Sequence, residues 1–350
     1  MTNPTVVGFD FDEAPLRAAL APAGSGTYEP TPLGIAGARA AAAATFPAPG
    51  VTAERVVLSA STSEAYSWLL HLLCDAGDEV LVPSPSYPLL EELARLAGVE
   101  LTPYRLAYDG AWHVDLPSLE AAVTPRSRAV VVVSPNHPTG SCLRREELRR
   151  VAALGLPIVA DEVFAAYAYA DDPTRAATAL EAEGALVFAL GGLSKFALLP
   201  QLKLAWMGVG GPDALAREAL HRLELVADTF LSVATPVQLA LPRLLELAGP
   251  RRAAARARCV GGRRALAQAL AGTPATLLHA EGGWAAIVRL PATRPDTEWA
   301  ALLLRDHGVL VHPGRLYDLP TAAPTVVVSL IVHPGDLAVG ARAIGLASSA

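Results

Sequence analysis

Lys195 stands in Gly191-Gly192-Leu193-Ser194-Lys195-Phe196, an amine among small and apolar residues. About 34 residues upstream, Asp161 closes the apolar run Val159-Ala160-Asp161. That offset fits one strand–helix–strand passage. A carboxylate at the end of a buried strand is costly unless it is paired. A helix cap is the plainer reading of Asp161, and a solvated loop residue that of Lys195. Together, however, an amine that can form a Schiff base and a carboxylate that can pair with a pyridinium nitrogen are what pyridoxal 5'-phosphate (PLP) chemistry requires.

Other motifs fall at matching places. Ser59-Ala60-Ser61-Thr62-Ser63 follows a strand pattern and opens a helical one. Hydroxyls and free amides at a helix N-terminus suit a phosphate dianion, although Ser and Thr are also ordinary N-caps. In Pro83-Ser84-Pro85-Ser86-Tyr87-Pro88 a ring sits between prolines. Tyr87 could stack on a planar cofactor or simply pack at a helix start. Ser134-Pro135-Asn136-His137-Pro138-Thr139-Gly140 is a polar turn after a strand. Asn136 or His137 could reach a phenolic oxygen, and turn chemistry alone would also explain the residues. Lys203, eight residues past Lys195, could neutralise a phosphate and lower the first amine's pKa. Its alternative is a surface lysine. The histidines show no metal-ligand spacing, and no metal is expected. His312, in Val311-His312-Pro313-Gly314-Arg315, is placed at the mouth of the site.

The elements that must position these groups follow from periodicity. Short β-branched runs at 55–59, 79–82, 99–103, 129–134, 157–161, 185–190 and 205–209 predict seven strands. Helical patterns at 63–75, 86–97 and 144–153 alternate with several of them. Such alternation predicts an α/β fold, a mainly parallel sheet sandwiched by helices, with ligands at the carboxyl ends of the strands. Further helices are expected at 212–225 and 236–247, then 251–270 after a break at Gly249-Pro250. The remainder mixes strands near 275–279, 285–290, 309–312 and 325–331 with helices at 296–307 and from 334. That pattern predicts a small α+β domain. The division is therefore residues 26–249 as a large domain, with 1–25 and 250–350 as a small one.

The chain has 350 residues, 52% of them hydrophobic, enough for a large domain and a smaller one. A net charge of −6 without a basic run excludes a nucleic-acid partner. No apolar run is long enough for a bilayer span, so no membrane association is expected. Three scattered cysteines, and no signal-peptide pattern after Met1, point to reduced thiols and a cytoplasmic protein.

Taken together, these motifs resemble the fold-type-I PLP-dependent aminotransferases of class I/II, from about Asn3 to the C-terminus. The resemblance implies a homodimer with active sites shared between subunits, working on amino acids and 2-oxo acids. Lys195 would be the Schiff-base lysine and proton carrier, and Asp161 the partner of the ring nitrogen. Tyr87 would stack on the ring, while Ser61, Thr62, Ser63 and Lys203 hold the phosphate. Tyr28, in Gly26-Thr27-Tyr28-Glu29-Pro30, would reach the partner's phosphate. Gly34 falls in the substrate-side glycine turn that follows. Thr2-Asn3-Pro4-Thr5 resembles a segment that relatives place after several more residues.

Four positions depart from the family pattern. His137 stands where Asn usually contacts the cofactor's phenolic oxygen, with Asn136 one residue earlier. Phe164 replaces a Tyr aimed at the same oxygen. Lys203 replaces an Arg, keeping the charge and losing the bidentate fork. Val327, in Thr325-Val326-Val327-Val328-Ser329, occupies the place of the Arg that grips the substrate α-carboxylate. Arg315 is the expected substitute for that clamp. These departures leave a second reading open, a PLP-dependent lyase, decarboxylase or cyclase with non-standard carboxylate recognition. A non-enzymatic role for this fold is disfavoured by the retention of Lys195 and Asp161.

Overall fold

The protein is described from a computed structural model, in which residues 9, 13–48 and 50–349 are described. The Asn-Pro-Thr motif at 3–5 lies outside them. Eight strands form the larger sheet: β1 (Val56–Ser59), β2 (Glu79–Ser84), β3 (Glu100–Tyr108), β4 (Trp112–Val114), β5 (Ser127–Val133), β6 (Ile158–Asp161), β7 (Val187–Gly192) and β8 (Ala205–Gly210). Their order is β1-β8-β7-β6-β5-β2-β3-β4. The pairs β2–β3, β2–β5, β5–β6 and β6–β7 are parallel. The pairs β1–β8, β7–β8 and β3–β4 are antiparallel. Six strands thus run one way, and β8 and β4 oppose them. The expectation of seven strands misses β4. Its three residues are too few to show a period, and a turn at Gly110 (φ 115°) folds them back on β3.

Alternation along each strand sorts the core. Ala129 and Val131 of β5 pack with Val159 of β6 on one face, against helices Thr62–Leu73, Leu89–Ala97 and Asp213–Phe230. Val130 and Val132 turn the other way, with Ile158, Ala160 and Leu148 of helix Arg145–Ala152. Burial on both faces explains why these strands read as continuous Val/Ile runs. Each fully buried aliphatic side chain contributes roughly 1.5–3 kcal/mol. The register places Asp161 between Val133 of β5 and Leu190 of β7. The carboxyl ends of three central strands are therefore level.

A second, antiparallel sheet has the order β11-β12-β10-β9, from β9 (Thr276–Leu277), β10 (Ala285–Arg289), β11 (His312–Pro313) and β12 (Thr325–Ser329). Val327 lies between His312 of β11 and Ile287 of β10. Helices Asp296–His307 and Pro334–Ser349 cover this sheet, as its core cluster shows. The break expected at Gly249-Pro250 is absent: one helix runs Thr235–Leu270, with Pro242 and Pro250 inside it. Both prolines are exposed; Pro250 frees the carbonyl of exposed Glu246, which water can reach, whereas Pro242 frees that of buried Gln238. The helix changes company instead of stopping. Val237 to Ala248 pack with β1 and β8, whereas Ala255 to Leu270 pack under the small sheet. Among the described residues no helix is long and apolar enough to cross a membrane.

Candidate active site

A cavity of about 680 Å³ opens beyond the carboxyl ends of β1, β2, β5, β6 and β7. Of the residues singled out in the sequence, Ser61, Thr62, Ser63, Tyr87, His137, Asp161, Phe164, Lys195 and Lys203 all line it. They come from separate loops spanning more than a hundred positions, and the level strand ends bring them together.

Lys195 sits in a single helical turn, Leu193–Phe196, directly after β7. Gly191 is required there, because a Cβ would fall 2.5 Å from the indole nitrogen of Trp206. The buried Tyr167 donates its hydroxyl to the Lys195 carbonyl at 2.7 Å and fixes the turn. The Lys195 ammonium faces aromatic walls, 5.7 Å from the Trp284 ring centre and 5.9 Å from that of Phe164. Burial lowers its pKa; Asp161 opposes that shift and Lys203 adds to it. An amine with a lowered pKa is a better nucleophile near neutrality.

Asp161 shares the β6 face of Val159 and looks toward helix Thr62–Leu73. Its carboxylate accepts the Val163 N–H at 3.1 Å and the Tyr66 hydroxyl at 3.2 Å. Burial raises its pKa, while those two donors and Lys195 pull the other way. Two donors leave acceptor positions unused on a desolvated carboxylate, and a protonated ring nitrogen would fill one. Helix Thr62–Leu73 opens at the other end of the cavity. Ser61 is its N-cap, accepting the Glu64 N–H at 3.1 Å, and Glu64 in turn accepts the Ala60 N–H. The Ser61 hydroxyl hydrogen, the Thr62 and Ser63 hydroxyls, the first-turn amides and Lys203 are donors suited to a phosphate.

His137 is wedged among rings: parallel to Phe164 at 5.9 Å, edge-on to Tyr87 at 5.8 Å and to Tyr317 at 5.4 Å. Burial, with Lys195 and His312 adding, pushes its pKa down to about 3, so its ring is neutral. A neutral imidazole can still donate one hydrogen bond, which Phe164 cannot. The donor set therefore fits a phosphorylated pyridine aldehyde.

Four expected site residues are placed elsewhere. Asn136 is buried in its turn, donating to the Pro85 carbonyl and Thr139 Oγ1 and accepting from Ser86 Oγ at 2.9 Å. Turn chemistry thus occupies its side chain, and His137 is the residue on the cavity. Gly34 (φ 101°) packs on β1, where a Cβ would lie 2.6 Å from Leu58 Cγ. Its need for glycine is steric and conformational, and it does not line the cavity. Arg315 does not line this cavity either. Its Nε donates to buried Asp296 at 3.0 Å and its backbone N–H to the same carboxylate at 2.7 Å. That commitment speaks against Arg315 as the carboxylate clamp. Tyr28 is 79% exposed and outside this chain's own cavity.

Sequence reasoning overlooked Tyr66, Tyr167, Trp284 and Tyr317. Even Tyr66, one turn from Thr62 on the same helix face, reads as core among its Leu and Trp neighbours. A second cavity of about 300 Å³ adjoins the first, sharing His137 and Phe164 and reaching His312, Tyr317, Trp284 and Val327.

The family model for aminotransferases of class I and II matches residues 25–326. Glutamate-pyruvate aminotransferase AlaA of Escherichia coli (strain K12) is 31% identical over 199 residues, 56% of this chain and 49% of that protein. An alanine aminotransferase of Mycobacterium tuberculosis (strain ATCC 25618 / H37Rv) is 32% identical over 197 residues, 55% of this chain and 46% of the relative. The matched stretch thus spans about half the length of these relatives. The structure of an alanine aminotransferase from Pyrococcus furiosus superposes with a TM-score of 0.88 at 21% identity, covering 99% of this chain and 91% of that one. At that identity the likeness speaks for the fold. Because the family model extends over most of the chain, the chain belongs to the aminotransferases of class I and II.

Proposed function

We propose that this chain is a PLP-dependent aminotransferase that moves an amino group between an amino acid and a 2-oxo acid. One observation carries the reading: Lys195, Asp161 and the Ser61–Ser63 helix start line one cavity. When bound, the cofactor supplies an electron sink that stabilises a carbanion at the donor's α carbon. The Ser61, Thr62 and Ser63 donors with Lys203 anchor the phosphate, and Tyr87 and His137 flank the ring. Asp161, held by Tyr66 and Val163, keeps a proton on the ring nitrogen. Lys195 Nζ is the group that would hold the cofactor covalently and, once freed by the incoming amine, would carry the donor's α proton as a base. Donor and acceptor use the site in turn, which is ping-pong behaviour.

We further infer a homodimer, with Tyr28 reaching the partner's phosphate. Its exposure and its distance from this chain's own cavity lining support that role. Three thiols without disulfides favour a cytoplasmic setting. The residues 26–249 are proposed as one domain, with 1–25 and 250–350 as the other. The change of packing partners between Ala248 and Ala255 supports that boundary.

Borohydride reduction of PLP-loaded protein tests the chemistry. It is expected to fix the cofactor's mass on the peptide carrying Lys195, and an amino donor without acceptor to yield pyridoxamine phosphate. Lys195→Ala is expected to lower turnover at least 10⁴-fold, in line with loss of a nucleophile and base. Product formation without pyridoxamine phosphate would instead point to the lyase reading. Failure to retain cofactor at Lys195 would refute both.

A further inference from the structure

Among the described residues, the second cavity is lined by uncharged side chains. Its lining includes Trp284, Phe164, Tyr317, His312, His137 and Val327, and no Lys, Arg, Asp or Glu is among the described residues that border it. Burial lowers the pKa of both histidines. His312 Nδ1 and the Tyr317 hydroxyl are 2.7 Å apart and satisfy each other, and the other polar side chains of the lining, His137 and Ser329, are uncharged as well. Val327 forms part of the wall, between His312 and Ile287 in the sheet. The cavity lies next to where Lys195 works, since Phe164 and Trp284 border it and the Lys195 ammonium is 5.9 and 5.7 Å from their ring centres. A substrate whose reacting carbon sits at Lys195 Nζ can therefore send one of its substituents this way. A carboxylate sent there would meet no cationic side chain among the described lining residues. A flat or aliphatic group would gain contact with the rings of Phe164, Trp284 and Tyr317.

We propose that this cavity is a subsite for an uncharged, apolar or aromatic group of the amino donor. The inference deepens the aminotransferase reading and rests on it for the donor's identity. An aromatic α-amino acid and the corresponding amine both carry such a group. In either case a dicarboxylic donor is disfavoured.

The test uses the PLP-loaded full chain with phenylalanine, phenethylamine or glutamate, each without acceptor, and measures pyridoxamine phosphate. At least one phenyl donor is expected to exceed glutamate tenfold or more in kcat/KM. Val327→Arg is expected to shift the preference toward glutamate by at least tenfold. A reactive phenethylamine identifies an amine donor; phenylalanine alone reacting identifies an α-amino acid, and both support the subsite. A second readout needs no turnover. Benzyl alcohol binding, followed by saturation transfer in magnetic resonance, is expected to weaken at least fivefold in Val327→Arg or Trp284→Ala. Glutamate outpacing both phenyl donors would overturn the proposal, as would benzyl alcohol binding that neither substitution affects. If Lys195 retains no cofactor, the aminotransferase reading fails while the benzyl alcohol measurement still decides the subsite.

Discussion

At the scale of single residues, Tyr66 is the support of the site that has no counterpart among the sequence motifs. Its hydroxyl is one of two donors to Asp161. Tyr66→Phe keeps the ring and its packing while leaving Asp161 with the Val163 N–H alone. Losing one hydrogen bond to a carboxylate is worth roughly 1–2 kcal/mol, so kcat/KM is expected to fall about 5- to 30-fold. The carboxyl pKa, already raised by burial, should rise further. The acid limb of the pH–rate profile is then expected to move to higher pH, with little change in melting temperature. An unchanged acid limb would show that Tyr66 only packs. The contrast with Lys195 and Asp161 explains what was legible here. A buried amine or carboxylate is anomalous in an apolar run and announces a partner. A tyrosine in a helix of Leu and Trp looks like core until the fold sets it beside a carboxylate. Asn136 and His137 show the same limit: adjacent residues in one turn, with backbone geometry deciding which of them faces the cavity.

At the scale of elements, Arg315 illustrates how a plausible site residue can belong to packing. Helix Asp296–His307 begins with Asp296, whose buried carboxylate accepts from Arg315 Nε and from two backbone N–H groups, those of Thr297 and Arg315. The ion pair fastens the turn after β11 to that helix. The Arg315 side chain is 49% exposed, so water weakens the pair. Arg315→Ala is therefore expected to destabilise by on the order of 1 kcal/mol, seen in urea denaturation. The kcat/KM for the amino donor should stay within twofold of wild type. A large rise in KM without loss of stability would restore Arg315 to the site. The parallel strands and the helices between them were legible because both faces are buried and the runs are long. The three-residue β4 and the continuity of Thr235–Leu270 were not. The first lacks a period, and the second hides behind Pro242 and Pro250, which read as breaks although the helix carries both.

At the scale of the whole molecule, two half-buried groups on opposite sides of the sheet end give stability an internal pH balance. Glu162 follows Asp161 but faces away from the cavity, where Thr178 Oγ1 and the Ala179 N–H donate to its carboxylate. Burial still prevails and raises its pKa from 4.5 to about 7. Between those values the folded state binds more protons than the unfolded one, so this group's contribution falls as pH rises. His137 works in the opposite sense. Its pKa drops from 6.5 to about 3, so the unfolded state binds more protons in that window and stability rises with pH. The two slopes oppose each other between about pH 4.5 and 6.5, and above 6.5 only the Glu162 decline continues. Glu162→Gln removes that decline while keeping an acceptor for Ala179 and Thr178. Relative to wild type, the variant is expected to gain on the order of 1–3 kcal/mol as pH is raised from 5 to 8. Denaturation midpoints across that range measure the gain. A difference between variant and wild type that does not depend on pH would mean that the Glu162 carboxyl titrates as it does in the unfolded chain. The acid-side slope would then be left to His137 and the remaining carboxylates.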